Sequence, residues 1–139
     1  MELNECFRKG FIKKTRMNLS LINSLMEMSD IAEDAVNNAK IDGKNISAYV
    51  SMAYESLREI LEAICISREY HVISHLCLGE LLKTLIDDFD YAEFDRMRYA
   101  RNGVNYYGTK IEFDQGKEMI GKIFSMKKRL KEGYLKHIK

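Results

Sequence analysis

The chain has no Pro, no Trp, only 8 Gly in 139 residues, and three Cys without a CxxC pair. Absent Pro and scarce Gly remove the usual punctuation of turn-rich β architectures and leave long stretches in which nothing interrupts a helix. No apolar run approaches the roughly 20 residues that a membrane-spanning helix needs. The start, Met1-Glu2-Leu3-Asn4-Glu5, carries acids where a secretory signal carries bases, so a cytoplasmic location away from membranes is expected. The odd set Cys6, Cys65 and Cys77 suits reduced, buried thiols better than a disulfide framework. There is no phosphate-cradling Gly-rich loop, nucleophile elbow or dinucleotide fingerprint.

What is present is consistent with one folded domain over residues 1–139, with 46% hydrophobic and 31% charged residues and a formal net charge of +1. That near-zero sum is unevenly distributed. Residues 1–16 sum to +3, residues 110–139 to +5, and the centre to −7. Basic ends brought to one surface would make a positive face for a phosphate-bearing partner; ordinary solvated helix faces are the alternative.

Apolar spacing predicts an all-α, up-and-down bundle of about five helices. A first helix from about Asn4 to Ala39 would place Leu21, Leu25, Met28, Ala32, Ala35 and Ala39 on its core stripe. After Asp42-Gly43-Lys44-Asn45, with Asn45 or Ser47 as cap, a second helix buries Val50, Tyr54, Leu57, Leu61 and Ile64. A shorter third carries Leu78, Leu81, Leu82, Leu85 and Ile86 and ends near Asp88. Asp90 followed by Glu93 predicts the start of a fourth, presenting Phe94, Met97 and Val104 to the core and stopping at Gly108. The last, from about Asp114 to His137, sets Ile120, Ile123, Leu130 and Tyr134 inward, with Lys117, Lys127, Lys128 and Lys131 around the rest.

The densest chemistry lies between Asp95 and Gly108, where three arginines, two asparagines and three tyrosines fall within fourteen residues. On a helix Arg98, Arg101 and Asn105 share a face and can converge on one anion. Arg101 would offer its forked donors to phosphate, Asn105 an amide, and a neighbouring Tyr a ring for a base. Pairing of Arg98 and Arg101 with Asp95, Glu93 or acids of the second helix is the competing assignment.

The segment Arg101-Asn102-Gly103-Val104-Asn105-Tyr106-Tyr107-Gly108 resembles the signature of the HEPN family, an Arg-Asn pair followed after three residues by His on the fourth helix of an all-α bundle. The likeness extends to the long first helix, the segment Ala53-Tyr54-Glu55-Ser56-Leu57-Arg58-Glu59, the Ser74-His75-Leu76 step and the amphipathic last helix. The resemblance implies a metal-independent ribonuclease centre without a cofactor, commonly completed in a homodimer, and often a toxin paired with a small nucleotidyltransferase. By position Arg101 matches the catalytic Arg and Asn102 its companion, while Tyr106 stands where the family has His. Tyr, with an ordinary pKa of about 10, is a poor base for 2′-hydroxyl attack. Lowering of the Tyr106 pKa by Arg98 and Arg101, or approach of His137 through the fold or a dimer, are the two rescues. The family's Tyr two residues after the His, modified with AMP in some pairs, falls on Gly108, with Tyr107 the nearest hydroxyl.

Three other features have simpler explanations. His71 and His75, four apart with Cys77 close, could grip a metal on a continuous helix, but His75 matches a structural family position and Cys77 suits the core. Asp87-Asp88-Phe89-Asp90 lacks the spacing of a calcium loop. The methionines fill the core more readily than they line a groove. No metal is assigned. The expected function is binding of nucleotide or RNA phosphate by Arg98, Arg101, Asn102, Asn105 and Tyr107, with the ribonuclease site degenerate at Tyr106. An active endoribonuclease toxin and a non-enzymatic interaction protein are the alternatives.

Overall fold

Helices form where the 3.6-residue apolar period runs unbroken. In the computed structural model, which describes residues 1–138, they take about 70% of the chain. The elements are α1 (Leu3–Arg8), β1 (Ile12–Lys14), α2 (Leu19–Asn37), α3 (Ile46–Ser67), β2 (Tyr70–Val72), α4 (His75–Leu85), α5 (Tyr91–Tyr107) and α6 (Phe113–Tyr134). No helix is long and apolar enough to cross a membrane among the described residues.

The core is built on α3, which packs most extensively against α2 and α6. Its predicted face, Val50, Tyr54, Leu57, Leu61 and Ile64, is wholly buried. Ser29 meets Ser56 while Leu21 lies beside Ile66, so α2 runs antiparallel to α3. Asn105 meets Ser51 and Arg101 meets Glu55, which sets α5 antiparallel as well. Gly116 at the start of α6 abuts Ile46 at the start of α3, so these two run parallel. A Cβ at Gly116 would overlap Ile46 Cγ1, which explains glycine inside this helix.

Two predicted helix ends are present. Asp90 Oδ1 accepts from the Glu93 amide 3.0 Å away, and Gly108 closes α5 in the left-handed region at φ 64°. The α3 start differs in detail. Asp42 Oδ1 accepts from the amides of Lys44 and Asn45, and Asn45 Oδ1 returns to the Asp42 amide. Ser47 Oγ instead accepts from the Ile111 amide, tying the α5–α6 connection to α3.

The single helix expected from Asn4 to Ala39 is replaced by α1, β1 and α2, giving six helices among the described residues. Gly10 turns the chain at φ 76°, and Ile12–Lys14 pairs antiparallel with β2, Ile12 opposite Val72. Ile12 and Val72 are both buried, and that burial rewards the pairing.

The core stripe of α2 is also different. Leu21 and Met28 are exposed, at 38% and 54%, the buried residues are Ile22, Ser29 and Val36, and Leu25 of the predicted stripe packs partly buried against the core. The reason is the small pair Ser29 and Ser56. Each hydroxyl donates to the other residue's carbonyl, at 2.6 and 2.8 Å, which brings the two backbones close and rotates α2 away from its bulkier residues.

Contrary to what their odd number suggests, the three cysteines are not all reduced thiols. Cys6 and Cys77 form a disulfide that ties α1 to α4 across 71 residues, leaving Cys65 as the buried free thiol. Lys127, expected on the outer face of α6, is 2% exposed. Its Nζ donates to the Ser29 carbonyl, Asp30 Oδ1 and Glu33 Oε1, so α2 supplies the counter-charges that let an ammonium lie in the core.

Candidate functional site

The chemistry-rich segment forms the second half of α5. It rests on α3 through Arg101–Glu55 and Asn105–Ser51, and borders an open cleft of about 840 Å³ shared with the 108–112 connection and the start of α6. Arg98, Asn102, Tyr106, Tyr107, Lys110 and Gln115 line that cleft, and no carboxylate does. Tyr106 and Tyr107 are 68% and 82% exposed, and Tyr99, also at the cleft, is 76% exposed. Exposed rings beside cations and amides without an acid are the combination that holds a single-stranded nucleic acid.

Arg101 stands behind this surface, its side chain 12% exposed. Nη2 donates to Glu55 Oε1 at 2.9 Å, and Nη1 reaches Asn102 Oδ1 at 3.2 Å and the Tyr106 hydroxyl at 3.4 Å. The guanidinium lies over the rings of Tyr54 and Tyr106, 5.5 and 5.7 Å from their centroids. Its Nε is buried without an acceptor. Arg101 therefore meets the cleft through Asn102 and Tyr106, at its two longer hydrogen bonds. The fold brings Asn102 and Tyr106 to one guanidinium, that of Arg101.

The other predicted residues do not meet on one anion. Arg98 donates to Asp95 from Nε and Nη2, and Asn105 accepts from Ser51 Oγ at 2.9 Å instead of facing the cleft. Each polar group on this face has its own carboxylate or hydroxyl, so the three side chains separate. Tyr107 lines the cleft beside Lys110.

The metal alternative at His71 and His75 loses its geometry. His71 belongs to β2 and His75 opens α4, so no continuous helix aligns them. His75 instead packs against the motif. Its Nδ1 is 3.0 Å from the Tyr54 hydroxyl, and the two rings stack at 5.7 Å. Burial, then the charges of Arg101 and Arg58, bring the His75 pKa down to about 4, so its imidazole is neutral at neutral pH. Burial likewise holds the Tyr54 hydroxyl above its usual range. Tyr54, Glu55, His75 and Lys110 were missed as site residues. Tyr54 read as a core residue and Lys110 as one of a basic block; the crossing of α3 and α5 brings Tyr54 and Glu55 to Arg101, Tyr54 carries His75, and Lys110 lines the cleft from the connection after α5.

A second cleft, of about 790 Å³, lies between α2 and α6. Lys127 and Lys131 on its wall are paired with Asp30 and Glu33, and Lys128, Glu132 and Lys136 also line it. Comparison with family models, with curated proteins and with solved structures found no match to this chain.

Proposed function

We propose that the protein is a HEPN-like binder of nucleotide or RNA phosphates whose ribonuclease motif is degenerate at Tyr106. The observation that carries this reading is the cleft beside α5, lined by no carboxylate, where Lys110 and three exposed tyrosines offer charge and stacking surface and Arg98 faces the cleft while paired with Asp95 outside it. Arg101 serves as the phosphate ligand once the long Tyr106 contact yields to a phosphate oxygen, because an anionic acceptor attracts the guanidinium more strongly than a neutral hydroxyl does. Proton transfer falls to a hydroxyl in place of imidazole, which favours binding over turnover. The resemblance adds the partners: a second copy of the chain and a small nucleotidyltransferase, in a toxin–antitoxin type of system.

Incubating labelled RNA with the wild type, Tyr106→His and the double variant Tyr106→His/Arg101→Ala separates binding from cleavage. The wild type should leave the RNA intact, Tyr106→His should cleave it, and the double variant should not. Robust cleavage by the wild type would instead favour the active toxin.

A further inference from the structure

His75 lies outside the signature segment yet shares the Tyr54 ring with Arg101. Tyr54 is fully buried, and its hydroxyl has no hydrogen-bond partner other than His75 Nδ1 among the described residues. Leaving a buried hydroxyl proton without an acceptor costs about 1–3 kcal/mol, so Tyr54 donates and Nδ1 accepts. A neutral imidazole carries one N–H, which must then be on Nε2. Neutrality follows from burial together with the cations facing the ring, Arg101 and Arg98 from α5 and Arg58 from α3, which outweigh the opposing carboxylate of Glu55 on α3. Nε2 itself makes no hydrogen bond and is not buried.

We propose that His75 is a phosphate-binding residue, its Nε2–H held in place by Tyr54 and donated to a non-bridging oxygen of the phosphodiester held at Arg101. The inference rests on the RNA-phosphate reading and gives it a ligand from α4, an element the signature does not include. His75 acts here as a neutral donor, so binding at this position needs no proton uptake. Tyr54 is a positioning residue that fixes the tautomer.

The test combines a spectroscopic signature with a conservative replacement. Long-range proton–nitrogen NMR of the imidazole should show the proton on Nε2, and the Nε2 signal should move when a short single-stranded RNA is added. In titrations of the same RNA, His75→Leu should bind about 5–10-fold more weakly, the loss expected for a partly solvated bond to a charged oxygen. His75→Gln should stay within about twofold, because its amide can accept from Tyr54 and still donate. A proton on Nδ1, an unmoved Nε2 signal, or His75→Gln as weak as His75→Leu overturns the proposal. If Arg101→Ala loses RNA while His75→Leu binds like the wild type, the proposal alone falls. If the wild type binds no RNA, the underlying reading falls with it.

Discussion

Replacing Cys6 and Cys77 with Ser should lower the melting temperature by roughly 10 °C. The bond closes a loop over a separation of 71 residues, and a cross-link of that span is worth about 4 kcal/mol through the unfolded chain. At this size each kcal/mol moves the midpoint by roughly 2–5 °C. Few other contacts hold α1, a six-residue helix, so its docking on α4 should be the first part to loosen. Reductant added to the wild type should reproduce the shift. Thiol titration of the unfolded, unreduced protein should find one reactive group, Cys65. Three reactive thiols, or a melting temperature indifferent to reductant, would contradict the assignment.

Lys127→Met should cost about 2–3 kcal/mol. Removing one partner of a buried ion pair typically costs about 3–5 kcal/mol because the other charge is left in place. Here Asp30 keeps Lys131 and Glu33 is 31% exposed, so water and the second lysine recover part of the loss. The Ser29 carbonyl also loses a donor at the α2–α3 contact. Burial opposes ionisation of Asp30, yet bonds from Lys131 and Lys127 hold its carboxyl below the usual carboxylate range. Its contribution is therefore complete above its unfolded pKa and is lost as pH falls through the lower folded value. Denaturant titrations at neutral pH and near pH 3 should show the gap between wild type and variant narrowing with acid. A gap that is absent at neutral pH would mean the ammonium contributes no net stability.

Local signals were legible in the sequence and long-range ones were not. The Asp90 cap, the Gly108 stop and the buried face of α3 each depend on residues within a turn or two of one another, so spacing alone revealed them. The β1–β2 pair joins two three-residue strands about 60 residues apart, too short to show a period. The outward turn of Leu21 and Met28 follows from Ser29 meeting Ser56, a contact that hydropathy scores as unfavourable. Lys127 was read as solvated because its counter-charges sit nearly 100 positions earlier. At the site, Asn102 and Tyr106 lie within one and five positions of Arg101 and both reach its guanidinium, a local relation that spacing can show. Asn105 was assigned toward a ligand because Ser51, its actual partner, lies on another helix. His75 escaped notice as a site residue because only Tyr54 connects it to Arg101.

RNA phosphate held by α5 and its cleft is what the proposed function requires of the protein. Fluorescence anisotropy of a labelled single-stranded RNA, titrated with wild type and with Arg101→Ala over a range of KCl concentrations, measures that directly. The wild type should bind with an affinity that falls as salt rises, with a log–log slope near −2 if Arg98, Arg101 and Lys110 each neutralise a phosphate at about −0.7 apiece. Arg101→Ala should bind about tenfold more weakly and with a shallower slope, while its circular dichroism at the assay temperature remains that of the folded wild type. Absence of binding by the wild type at low salt, or equal binding by the two proteins, would contradict it.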